Sequence, residues 1–200
     1  FSSTLPLVPR YVDGVLSGSK VEIGLALGIF SISAVFARPM VGRLGDERGR
    51  RFIIIWGTAL TALTVAAHAL ASSIWLIYLV RLAMGATQGA FFVGTATMVN
   101  DLAPPERRGE ATNYFSVAVY GGMAIGPLMG ETVQKAAGFG WAFAAGGGSL
   151  LLAAALATLL PNDRPAAPAV TDTELEPAKR ILLHPAAILP GLILMGGLVT

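Results

Sequence analysis

The sequence predicts an all-α, polytopic membrane bundle. Three observations carry that prediction. Of the 200 residues, 54% are hydrophobic and only 13% charged, with a mean hydropathy of +0.66. A soluble domain of this length could not cover its surface with so few charges. Five apolar segments reach membrane length, and the connections between them alternate between rich and poor in arginine and lysine.

A spanning helix needs about 20 mostly apolar residues. Segments 21–41, 52–70, 74–99, 111–133 and 141–160 meet that need. Each must be helical, because lipid offers no partner to unpaired backbone groups. The first closes on Arg38-Pro39, which reads as an anchor at the inner interface. The second is the run Phe52 to Leu70. The third carries Arg81, about 10 Å from its outer end by helical rise. The fourth holds Gly122, Gly126, Pro127 and Gly130, a set that suits a kinked, closely packed helix. The fifth holds Gly146-Gly147-Gly148, read as a packing notch. Short apolar pieces, Phe1 to Val8 and His184 to Thr200, look like the end of an earlier helix and the start of a later one. The chain begins without methionine and reads as an internal piece of a longer protein.

The connections fix the expected orientation. The 42–51, 100–110 and 161–184 segments hold nine basic residues, against Arg10, Lys20 and Lys135 on the opposite side. The positive-inside rule places the first set in the cytoplasm. Residues 161–177 are rich in proline, alanine and acids and read as a flexible linker. The organisation expected is a bundle over 1–160, a cytoplasmic central loop over 161–184, and the start of another helix over 185–200.

Several function classes are excluded. Cysteine is absent, so no disulfide or cysteine metal site exists. A net charge of +2 gives nucleic acid no electrostatic support. No nucleophile–base arrangement, metal spacing or phosphate loop is present, so neither an enzyme nor a cofactor is expected. His68 and His184 lie near predicted interfaces and receive no ligand role.

The densest signal is Gly42-Arg-Leu-Gly-Asp-Glu-Arg-Gly-Arg-Arg51, read as a compact charged loop between two apolar runs. Gly42 and Gly49 suit helix ends that approach a neighbour closely. Asp46 can accept from helix N-terminal amides or pair with arginine. The stretch resembles the loop between the second and third helices of the major facilitator superfamily, roughly Gly-x-Leu-x-Asp-Arg-x-Gly-Arg-Arg. Gly42, Leu44, Asp46, Gly49, Arg50 and Arg51 match; Glu47 stands where a basic residue is usual.

That resemblance implies more. The chain would be most of a six-helix N-terminal half, two inverted three-helix repeats, plus the start of the second half. The charged loop would be a cytoplasmic gate that includes Asp101, drawn to Arg50. The alternative for Asp101 is a solvated acid balancing Arg107 and Arg108. Arg81-x-x-x-Gly85 resembles a motif linked with proton coupling, its acidic partner expected on the first helix, of which this chain is read as holding only the end; outward snorkelling is the alternative. Gly122 to Gly130 resembles the motif of the exporting, antiport branch, with Glu131 where a final glycine is usual. Glu131 reads as facing water. The implied function is secondary transport of a small molecule by alternating access, as proton-coupled efflux through an inner-membrane monomer. Its partners would be substrate, protons and the lipid bilayer. The alternatives are a proton-coupled importer of sugars or organic acids, or a receptor that keeps the fold without transporting.

Overall fold

The structure is a computed structural model that describes residues 2–162. The described residues form six α-helices and two single 3-10 turns, with no strand among them. The helices are α1 (Thr4–Gly14), α2 (Lys20–Arg48), α3 (Arg50–Ala67), α4 (Ile74–Leu102), α5 (Arg108–Ala137) and α6 (Phe139–Ala157). The central loop and the terminal helix start expected over 161–184 and 185–200 lie almost wholly outside the described residues.

Helix ends follow local chemistry. Ser19 opens α2 with a capping box: its hydroxyl accepts from Glu22 N, while Glu22 Oε2 accepts from Ser19 N at 2.7 Å. Ser73 opens α4 by accepting from Leu76 N. Two glycines join helices with almost no loop. Gly49 (φ 93°) separates α2 from α3, and Gly138 (φ 89°) separates α5 from α6. Only glycine takes such angles without strain.

Two boundaries correct the sequence reading. The stretch 42–51 is not a loop. Helix α2 runs on through Arg48, and the turn is Gly49 alone. Nothing in Gly42–Arg48 breaks a helix, and Arg48 suits the negative end of the helix dipole. Residues Arg38 and Pro39 therefore lie well inside α2, not at its end. The second correction concerns α5. Helices α2, α4, α6 and the 50–70 segment are long and apolar enough to cross a membrane. Helix α5, at 30 residues, has the length but not the hydropathy, since Gly, Thr, Asn and Gln interrupt its apolar residues.

The bundle packs α2 along α4, α4 along α3, and α3 along α6, with α1 against α5, α2 and α6. Small residues make these contacts possible. A Cβ on Gly85 would strike the Phe30 carbonyl of α2 and come within 3.1 Å of Ala34 N. One on Gly57 would lie 2.8 Å from Phe91 N, and one on Gly147 2.9 Å from the Ala62 carbonyl. In lipid, close backbone approach replaces the hydrophobic drive between helices. The main apolar cluster gathers Leu7, Val8, Tyr11, Ile77 and Phe143 at one end of the bundle. The outer surface is studded with exposed apolar side chains such as Phe36, Leu79, Trp75 and Trp141, as a lipid-facing surface requires.

Candidate functional site

Three polar junctions and one cavity stand out in this apolar bundle. At one end, Arg50 opens α3 directly after Gly49. Its Nη1 lies 2.6 Å from Asp46 Oδ1, one turn back on α2, and its Nε lies 3.3 Å from Asp101 Oδ2 near the end of α4. Arg51 donates to the Thr158 carbonyl just past α6. The guanidinium of Arg48 covers the Phe52 ring at 5.4 Å. One glycine turn thus places consecutive arginines against α2, α4 and the end of α6. Asp46 and Asp101 are both largely exposed. Exposed ion pairs contribute about 0–1 kcal/mol each, too little to hold a bundle but enough to bias one arrangement of helix ends over another.

The glycine that makes room for this junction is Gly45, which the sequence reading passed over. A Cβ there would meet Ile53 Cδ1 at 2.8 Å and Arg50 Nη1 at 3.0 Å. Gly42 faces open space among the described residues, so the close approach expected of it is not made within this bundle.

Arg81 is fully buried in α4, which removes the snorkelling alternative. Its Nη2 donates to the Thr4 carbonyl at 3.4 Å, and the guanidinium lies 5.7 Å from the Phe30 ring centre. Nε and Nη1 have no hydrogen-bond partner among the described residues. Over the described part of the first helix, α1 gives Arg81 the Thr4 backbone carbonyl, and Asp13, the one acid in Thr4–Gly14, is exposed. His68, just past the end of α3, is also fully buried. Its ring stacks on Phe143 at 5.3 Å with Nδ1 2.8 Å from the Thr64 carbonyl.

The third junction joins α1 to α5. Ser2 donates to the Gly122 carbonyl at 2.7 Å. A Cβ on Gly126 would strike the Ser2 hydroxyl and approach Ser3 N at 3.1 Å; one on Gly130 would lie 2.9 Å from Ser3 Cβ. Helix α5 continues unbroken through Pro127. Glu131 does not simply face water. Its carboxylate lies 3.1 Å from Arg10 Nη2 on α1 and 3.9 Å from Lys135 Nζ.

Between these junctions lies a cavity of about 670 Å³, walled by α2, α4, α5 and α6 and by Ser2 and Ser3 at the start of the chain. Phe91, Phe92, Phe115, Met123, Ile125 and Met129 give it an aromatic and thioether surface. Gly122, Gly126 and Gly130 form part of the same wall. Polar groups are few: Gln88, Thr95, Ser149 and the Ser2–Ser3 pair, with Arg38 as the one charged lining residue among those described. The volume suits a drug-sized molecule, and apolar walls with a few polar groups are the usual make-up of small-molecule sites. Methionine adapts to differing shapes. The sequence reading made Arg38 an interface anchor because α2 was taken to end at residue 41.

Comparison with known proteins agrees with this architecture. The sequence model of the Major Facilitator Superfamily matches residues 1–200. The chain is 32% identical over 163 residues to the "Multi-drug resistance efflux pump PmrA homolog" of Lactococcus lactis subsp. lactis (strain IL1403), covering 80% of this chain and 39% of that protein. It is 32% identical over 160 residues to "Multi-drug resistance efflux pump PmrA" of Streptococcus pneumoniae serotype 4, covering 78% and 39%. To the "Tetracycline resistance protein, class H" of Pasteurella multocida it is 29% identical over 131 residues, covering 63% and 32%. The chain thus spans about two fifths or less of the length of these relatives. With the helical bundle, the membrane-length spans and a match over all 200 residues in agreement, the chain belongs to the Major Facilitator Superfamily.

Proposed function

We propose that residues 1–160 form the first half-bundle of a secondary transporter that exports small amphiphilic molecules by alternating access, coupled to inward proton flow. The observation that carries this reading is the cavity. An aromatic and methionine wall enclosing about 670 Å³ fits an apolar substrate body, and glycines at the α1–α5 contact border it. The names of the relatives as efflux pumps and resistance proteins support the direction.

Each junction takes a part in the cycle. Asp46, Arg50 and Asp101, with Gly42, Gly49 and Arg51 on the same segment, form a cytoplasmic latch. Its weak exposed pairs can break and reform, which a gate between two near-equal states requires. Arg81 takes the proton-coupling role. A buried charge in a membrane helix costs about 2.5–3.5 kcal/mol on insertion scales. Two guanidinium nitrogens without partners therefore favour a state that brings them water or an anionic group. Gly122, Gly126, Pro127 and Gly130 let α5 slide against the start of α1 as the cavity changes its opening. The working unit is a monomer in the inner membrane, with the Gly49 turn in the cytoplasm and no bound cofactor.

The test is proton movement in vesicles carrying the complete transporter. Adding an apolar amine or acid substrate should release or consume protons only when wild-type protein is present. A vesicle that accumulates substrate with no proton flux, under an imposed pH gradient, would remove proton coupling from the reading. Vesicles that move no substrate at all would remove transport.

A further inference from the structure

We propose that Arg38 makes the cavity selective for amphiphilic organic anions, with an aromatic or aliphatic body against the phenylalanine and methionine wall and a carboxylate on the guanidinium. The proposal rests on the transporter reading and names the substrate class for it.

Two observations place the charge. Arg38 lines the cavity together with Gln88 and Thr95 of α4 and Phe92 of the same helix. It also sits ten residues before the end of α2, about 15 Å along the axis by helical rise, so it is not part of the charged helix end at Arg48 to Arg51. The basic residues of that end have their own partners, Asp46, Asp101, Thr158 and the Phe52 ring. Arg38 makes no hydrogen bond or ion pair among the described residues.

The sign of the cavity follows. No aspartate or glutamate lines it among the described residues. Among the described residues an organic cation would find no counter-charge and would meet Arg38 as a like charge. A carboxylate would find a planar, permanently charged fork with two parallel donors, beside a mostly apolar wall. Gln88 and Thr95 add neutral hydrogen-bonding groups beside it. A lipid headgroup phosphate has the same anionic chemistry, so the experiment must separate substrate from lipid.

The experiment measures equilibrium binding to the complete transporter in phosphatidylcholine nanodiscs. The probes are 1-naphthoate, its neutral amide, and 1-naphthylmethylamine, which share one aromatic body. Wild type should bind the carboxylate at least tenfold more tightly than the amide, and the amine most weakly. Arg38→Gln should bring carboxylate and amide within about twofold, chiefly through loss of carboxylate affinity. Arg38→Lys should keep part of the preference, and Arg38→Glu should turn it toward the amine. Wild type that fails to prefer the carboxylate, or a preference that survives Arg38→Gln, overturns the inference; the latter would mean that Arg38 is neutralised by an acid elsewhere in the transporter. Carboxylate binding abolished when a third of the lipid is phosphatidylglycerol would assign the site to a headgroup and overturn the substrate class. Efflux is read separately. Arg38-dependent carboxylate binding with no movement of any probe upholds this inference and removes transport.

Discussion

Arg50 on α3 and Asp101 on α4 are 51 positions apart in sequence and 3.3 Å apart in space. The contact joins α3 to α4 at one end of the bundle, where Arg50 also pairs with Asp46 on α2. If this is the latch, breaking it should affect turnover more than folding. Arg50→Ala should lower transport at least tenfold in the complete transporter while membrane expression stays near wild type. Asp101→Asn should do less, since Asp46 remains to pair. The measurement is initial efflux rate, normalised to protein detected in the membrane. Equal rates in wild type and Arg50→Ala would reduce the junction to a topological anchor.

Arg81 invites a geometric test. It reaches the Thr4 carbonyl and the Phe30 ring through a guanidinium that an ammonium cannot mimic. Arg81→Lys should lose proton-driven transport while keeping some substrate binding. Arg81→Ala should do the same and leave a void beside α1. Substrate extrusion against a gradient by either variant would put proton coupling elsewhere.

Helix contacts make different demands at different glycines. A Cβ at Gly85 meets the backbone of α2 at Phe30 and Ala34, which cannot rotate away. Gly85→Ala should therefore lower the melting temperature, with a cost of about 1–3 kcal/mol from overpacking. Gly42→Ala meets open space and should leave stability unchanged or slightly raised, since alanine favours helix by up to ~1 kcal/mol over glycine. Thermal unfolding in detergent compares the two directly. A drop in transport for Gly42→Ala without a drop in stability would show that Gly42 faces a partner outside residues 2–162.

At the α1–α5 junction, Gly126→Leu should force the start of α1 off α5, because Ser2 and Ser3 fill the space. The proposed exporter should then leak or lock, and efflux from preloaded cells should fall. Pro127→Ala should slow turnover with less effect on folding. Unchanged efflux in both would detach this segment from export and favour the importer.

Orientation is tested by cysteine labelling in a cysteine-free background, to which residues 1–200 contribute no native cysteine. Gly45 is buried beneath Arg50 and is a poor site, whereas Glu47 and Ser17 are exposed at opposite ends of the bundle. An impermeant thiol reagent on sealed cells should label Ser17→Cys and spare Glu47→Cys. The reverse pattern would invert the proposed topology.

The amino-acid sequence by itself determined the class of this protein. Its apolar runs required helices, its arginines segregated to alternate connections, and Gly42 and Gly49 marked expected helix ends. It also located Arg50, Arg81 and Gly126 as residues with unusual demands. The tertiary structure decided their partners. A water-soluble helix shows its packed face as an apolar stripe, but here lipid-facing and protein-facing surfaces are both apolar, so periodicity cannot tell them apart. The end of α2 was read at residue 41 because a charged stretch begins there, and Arg38 beside that supposed end was taken for an interface anchor instead of a cavity wall. The same ambiguity hid the role of Gly45 and the burial of His68. Around Arg81 the structure adds a backbone carbonyl and an aromatic ring, and only the docking of α1 and α2 against α4 could supply those.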